Sequence, residues 1–213
     1  MALLRLHTQD AVYDEEARLA SLGIEFLDEA RSPALWAQCM HIARRLRSTT
    51  RQTIGLWPVE DAFGIPALAL HVGRALADLS SSTVAFVDAN ARWPAARELL
   101  GKREAEASTE DRETAFTTLW LRGMLALLIP KRLGAAGEAL AQLRGTLEDA
   151  RGLFATILVD MTGFDMLGDH LSLISLLDGV ALVAIAGKTT DAELLVCAEQ
   201  VEASRLLGTI LVG

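Results

Sequence analysis

Residues 53–79 read TIGLWPVEDAFGIPALALHVGRALADL: a short run rich in β-formers, a turn carrying two acids and a glycine, then a segment with apolar residues three and four apart. This is the succession of strand, turn and helix. It recurs down the chain. Short runs rich in Leu, Ile and Val lie at Thr83–Val87, Met124–Ile129, Thr156–Val159, Val180–Ile185 and Thr209–Val212. Helical periods lie at Pro66–Leu79, Ala136–Arg151, His170–Leu177 and Asp191–Leu206. Strands without polar alternation belong in a sheet covered on both faces, and strands that alternate with helices belong in parallel βαβ units. The expectation is a three-layer α/β domain over residues 51–213, its sheet mostly parallel with helices on both faces.

Residues 1–50 read differently, as a helical N-terminal arm. Two helical segments, about Asp14–Leu27 and Ala34–Arg47, flank the break at Arg31-Ser32-Pro33, and a basic cluster of Arg44, Arg45, Arg47 and Arg51 follows. The stretch from Gly101 to Thr114 is highly charged and has no apolar period, which predicts an exposed loop or a solvated helix.

Composition narrows the function classes. A chain of 213 residues, 51% hydrophobic and 23% charged, buries roughly 70% of its unfolded surface and needs no disulfide or metal to hold it. Its two cysteines, Cys39 and Cys197, form no ligand motif, which suits a reducing cytoplasm. Twenty-eight acids against 20 Lys and Arg leave a net charge of −8, which argues against nucleic acid as a partner. The longest apolar stretches fall far short of the roughly 20 residues that span a membrane. Asp10, Asp14, Glu15 and Glu16 follow too soon after Met1 for a secretory signal.

In a parallel sheet, ligands sit beyond the carboxyl ends of the strands, so the turns there carry any chemistry. After the first strand comes Pro58-Val59-Glu60-Asp61-Ala62-Phe63-Gly64-Ile65-Pro66; after the second, Asp88-Ala89-Asn90-Ala91-Arg92-Trp93-Pro94; after Thr156–Val159, Asp160-Met161-Thr162-Gly163. Asp88 and Asp160 can cap their own turns or pair with Arg92. Gly187-Lys188-Thr189-Thr190 superficially mimics the end of a phosphate loop but lacks a glycine-rich turn before it, so it reads as a strand-to-helix loop with Thr190 as N-cap. The histidines show no ligand spacing, and His71 reads as packed rather than catalytic.

These turns, in this order, resemble the deviant Walker-motif ATPases of the MinD/ParA group, and within it the cytoplasmic domain of bacterial polysaccharide-assembly tyrosine kinases. The resemblance covers about residues 32–213. The family's SPxxEAYRxLR segment is similar to Ser32-Pro33 followed by His41 to Arg47, its DADLRRP to Asp88–Pro94, and its VIIDTPP to Ile157–Gly163. Gly168-Asp169 stands where the family has Ser-Asp. Asp178–Val183 resembles DGVLLVV, and Gly208–Val212 resembles GVVLN. The resemblance implies a P-loop NTPase-like fold and a nucleotide cleft marked by Gly64, Asp88 and Asp160.

The departures bear on activity. Counting back from the helix, the family's Gly-Lys-Ser/Thr falls on Gly64-Ile65-Pro66, so the phosphate-reaching lysine and the Mg²⁺-binding hydroxyl are both lost. Glu60 and Asp61 add carboxylates that repel a triphosphate, and Asn90 replaces a second aspartate. Tyr13 is the one tyrosine, and the family's C-terminal tyrosine cluster is missing. The reading is therefore a non-catalytic pseudo-ATPase or pseudokinase scaffold with a vestigial cleft, no cofactor and no metal. It acts through protein partners in surface-polysaccharide or membrane-associated assembly, cytoplasmic or held at the inner membrane by a partner. The alternatives are a divergent nucleotide-binding ATPase and a MinD/ParA-like positioning protein; the chain ends at Gly213 without the targeting helix the latter uses. The family's ring-forming E-x-x-R-x-x-R becomes His41-x-x-Arg44-x-x-Arg47, which predicts a basic stripe for an acidic partner on a monomer or small homo-oligomer.

Overall fold

A computed structural model describes residue 20 and residues 32–60, 65–89, 116–121, 123–130, 136–163 and 170–213, with the side chains of 136–139 and 170 excepted. The elements run α1 (Pro33–Ser48), β1 (Thr53–Pro58), α2 (Ile65–Ser80), β2 (Val84–Val87), β3 (Phe116–Leu121), β4 (Leu125–Pro130), α3 (Ala136–Arg151), β5 (Thr156–Asp160), α4 (His170–Leu176), β6 (Gly179–Ile185), α5 (Asp191–Glu199) and β7 (Leu206–Val212). The strands form one seven-stranded sheet in the order β3-β4-β2-β5-β1-β6-β7. Every pairing is parallel except β3 with β4. The expected three-layer, mostly parallel α/β fold is the one observed.

Period-2 geometry divides each strand's side chains between the faces. Ile54 and Leu56, Val84 and Phe86, Leu125, Leu127 and Ile129, and Ala181 and Val183 meet α1 and α2 in one core. Trp57, Ala85 and Val87, Ala126 and Leu128, and Val180 and Leu182 fill the other with Leu143, Leu147 and Ala150 of α3 and Leu173 and Ile174 of α4. All of β1, β2 and β4 is buried. No helix among the described residues is long and apolar enough to cross a membrane.

Three elements differ from the sequence reading. Residues 116–121 form an antiparallel edge strand, joined to β4 by a hairpin that turns at Gly123 in the left-handed region (φ 74). Helix α5 stops at Glu199 rather than running to Leu206, and β7 starts there. Arg205 lies between them, donating from Nη1 to the carbonyls of Ile174, Ser175 and Leu177 at the end of α4, where helix carbonyls lack intrahelical partners. That anchor ties the turn between α5 and β7 to the end of α4. The third concerns the N-terminal segment. Cys39, Ala43 and Leu46 of α1 are buried in the same core as α2 and the sheet, so this helix is a member of the outer layer. The helix expected at 14–27 and the charged stretch at 101–114 lie outside the described residues.

The sheet's amino ends are tied by polar contacts. Asp178 Oδ2 accepts from the Thr53 N–H at 2.8 Å, while Arg151 donates to Asp178 Oδ1, to Thr53 Oγ1 and to the Leu176 carbonyl.

His71, on α2, is packed as expected: 9% of its surface is exposed. Burial, helped by the charge of Arg74, lowers its pKa from 6.5 to about 4. Between those values the unfolded chain holds a proton that the folded one refuses, so stability falls as pH drops from 6.5 towards 4. The loss is on the order of 3 kcal/mol at most. Urea unfolding across this range is expected to show a shallower acid-side decline for His71→Gln than for the wild type; parallel curves would contradict the assignment.

Candidate functional site

The carboxyl ends of β2, β5, β1 and β6 lie side by side, and the residues that follow them form the candidate site. Asp88 follows Val87, which is in register with Val159, so Asp88 and Asp160 occupy neighbouring positions at the ends of adjacent strands. Both side chains are fully buried. Asp160 Oδ1 accepts from the Thr162 N–H at 2.8 Å and from Thr162 Oγ1 at 2.5 Å, which caps the Met161–Gly163 turn. Its Oδ2 has no hydrogen-bond partner among the described residues. A half-satisfied carboxyl in an apolar surround favours its neutral form, and burial raises the Asp160 pKa from 3.8 to about 6 against the opposing Thr162 bonds.

Glu60 follows β1. Its carboxylate is paired with the Lys188 ammonium and accepts from Thr189 Oγ1 at 2.7 Å. Thr189 Oγ1 in turn accepts the Ile185 N–H at 2.8 Å, so the loop after β6 is fastened to the end of β1. The hydrogen bonds from Lys188 and Thr189 lower the Glu60 pKa. Thr190 is the α5 N-cap, with a reciprocal capping box to Glu193. Neither the Glu60–Lys188 pairing nor the role of Thr162 was read from the sequence. The signal for the second is the Asp-x-Thr spacing, which suits an Asx-type turn; the first joins residues 128 apart in the chain and has no local signal.

Ile65 and Pro66 open α2, with proline in the first turn where its missing N–H is tolerated. Ile65 is 0% exposed and belongs to the core shared by α1, α2 and the sheet. It does not line an open cleft. Gly64, the third residue expected in the vestigial cleft, lies outside the described residues, as do Asp61, Phe63, Asn90, Arg92 and Trp93. Asp160 Oδ1 is engaged by Thr162, and Ile65 and Pro66 at the start of α2 are both buried.

The second candidate site is the basic stripe of α1. His41 and Arg44 are exposed together with Ala37, Gln38, Arg45 and Ser48, opposite the buried Cys39, Ala43 and Leu46. Arg47 is exposed too, but its Nη1 donates to the Leu79 carbonyl at the end of α2, 2.8 Å away. The helix explains this, because each three-residue step falls about 60° short of a full turn and two steps carry Arg47 about 120° from His41. Arg45, four residues on, shares the outer face with His41 instead.

No protein-family model matches the chain, and no curated protein matches it. Solved structures do. The BceF tyrosine kinase domain superposes with a TM-score of 0.65 at 18% identity, over 99% of this chain and 91% of that one. The chimerical protein CapA2B2 gives 0.65 at 16%, over 92% and 97%. The kinase domain of the Escherichia coli tyrosine kinase ETK gives 0.64 at 19%, over 82% and 75%. The chain has the fold of bacterial tyrosine kinase domains, which is the P-loop NTPase-like α/β fold.

The Asp160 geometry fixes the sign of a pH effect. Its pKa is raised, so between about 4 and 6 the folded state keeps a proton that the unfolded state has released. Stability from this group is present below pH 4 and is lost as pH rises through 6, by about 3 kcal/mol at most. Asp160→Asn keeps the acceptor for Thr162 and removes the titration. Urea unfolding is expected to find the two proteins alike near pH 4 and the variant more stable at pH 8; a variant less stable at pH 8 would show the ionised form to be the one the fold requires.

Proposed function

We propose that this protein is a non-catalytic relative of the bacterial tyrosine kinase ATPases, a scaffold that works through contacts with protein partners. By likeness of fold, its setting is surface-polysaccharide or membrane-associated assembly. The observation that carries this reading is Ile65. The residue standing where the family's phosphate-reaching lysine belongs has its side chain wholly inside the α1–α2 core, where no ligand can reach it. Lys188, which could stand in for it from the loop after β6, is engaged by Glu60. Phosphoryl transfer is catalysed almost entirely by positioned positive charge and metal, and the described strand ends present Asp88, Asp160 and Glu60 instead.

The competing reading is a divergent ATPase of the MinD/ParA type, and the unpartnered Oδ2 of Asp160 is what favours it. Nucleotide binding separates the two. A ligand present at 100 times its Kd stabilises a protein by about 2.7 kcal/mol, so ATP or ADP at millimolar concentration with Mg²⁺ is expected to leave the melting temperature unchanged. A Mg²⁺-dependent rise would favour the ATPase.

The partner surface in this reading is the outer face of α1, with His41 and Arg44 from the expected stripe joined by Arg45, and with Arg47 contributing as a strut to α2. Two charge reversals are expected to behave differently. Arg44→Glu should change stability by less than about 0.5 kcal/mol, as an exposed substitution does. Arg47→Glu should cost about 1 kcal/mol through its lost bond to Leu79. Chemical denaturation measures both, and equal costs would place Arg47 in solvent. Light scattering is expected to give a monomer or small oligomer; a closed ring of identical subunits would count against the loss of the self-complementary glutamate.

A further inference from the structure

The loop after β6 carries an ammonium and a hydroxyl that converge on a single carboxylate. Lys188 Nζ and Thr189 Oγ1 each take one oxygen of Glu60, the first by ion pairing with Oε2 and the second by donating to Oε1 at 2.7 Å. Two donors bridging the two oxygens of one anionic group is the arrangement by which proteins hold phosphate and carboxylate oxyanions. The hydroxyl is oriented for it, because its lone pair is already taken by the Ile185 N–H, which turns its proton outward to Glu60. The occupant is shielded, with 15% of the Glu60 side chain exposed, while the Lys188 stem reaches it from solvent with 59% exposed. The neighbouring acid, Glu193, is held back by Thr190, whose N–H and hydroxyl both bond to its Oε2 at 2.8 Å.

We infer that Lys188 and Thr189 form an oxyanion site of the phosphate class, closed in this protein because Glu60 fills it as an internal ligand. This goes beyond the proposed function, which rests on the burial of Ile65 at the start of α2, and it does not depend on whether nucleotide binds. The internal carboxylate is supplied by the next strand and cannot diffuse away. An external anion therefore competes for the fraction of molecules in which Glu60 has swung out, and a site open about one-tenth of the time shows an affinity about tenfold weaker than its own.

Glu60→Gln tests this, because the amide keeps an acceptor for Thr189 and gives up the charge that holds Lys188. Inorganic phosphate is titrated into the wild type, E60Q and the double variant E60Q/K188M at constant ionic strength, following the amide signals of Ile185 and Thr189 by heteronuclear NMR. E60A serves the same purpose should E60Q fold poorly, and a thermal melt without phosphate reports folding in each case. The expected result is saturable binding to E60Q at least about tenfold tighter than to the wild type, abolished in E60Q/K188M. Equal affinity in wild type and E60Q, no saturable shift in E60Q or E60A, or undiminished binding in the double variant would each overturn the inference. A parallel ATP titration of the wild type bears on the proposed function alone, since E60Q is compared with wild type in phosphate.

Discussion

Everything in this molecule follows from a parallel sheet that must be covered on both faces. β1 lies between β5 and β6 with all six residues buried, and β2 and β4, farther along the sheet, are as dry. Such strands have no solvent face on which to carry chemistry, so polar function is forced to their ends. The faces also leave little slack. A Cβ on Gly55 would come within 2.5 Å of both Leu177 and Met161, which pack over β1 in that gap.

The two ends of the sheet then take different roles. At the amino ends, Arg151, Asp178 and Thr53 join three elements, and Arg205 closes the last turn of α4. These are contacts between groups of opposite or complementary character, satisfied by one another. At the carboxyl ends the described groups are mostly acidic, and they are not all satisfied: Asp160 keeps a buried oxygen without a partner. Unsatisfied buried polar atoms are rare in folded proteins. The polar groups are mutually satisfied at one end and left partly unpaired at the other.

How much of this was legible in the sequence depends on range. The buried parallel strands announced themselves by uninterrupted Leu, Ile and Val, and Thr190 by its N-cap chemistry three residues before Glu193. β3 did not, because Phe116-Thr117-Thr118-Leu119-Trp120-Leu121 is a half-covered edge whose only local sign is the glycine of its hairpin. The α5–β7 boundary failed for a different reason: Arg205 is drawn to carbonyls about 30 residues away, which a period-based reading cannot see. On α1 the bond from Arg47 to the Leu79 carbonyl could not be read locally, since a heptad-like i, i+3, i+7 step keeps to one face and i, i+3, i+6 leaves it. Asp88 and Asp160 could be placed by counting strand ends; whether their oxygens were satisfied required coordinates.

The apolar residue at position 65 would also be hard to replace by a lysine, and the reason is energetic. Ile65 contributes a whole aliphatic side chain to the core between α1, α2 and the sheet, and burial of that kind is worth about 1.5–3 kcal/mol. A lysine there would forfeit that packing. It would also put an ammonium where no described carboxylate is paired with it, and such a group is driven towards its neutral form by desolvation. Pro66 adds a second barrier: a serine in its place would restore a hydroxyl and an N–H to the first turn of α2, but in a buried position where each needs a partner. The apolar contacts that now hold the start of α2 and the charges a triphosphate would need therefore compete for the same two residues. At Ile65 and Pro66 core packing has taken both positions.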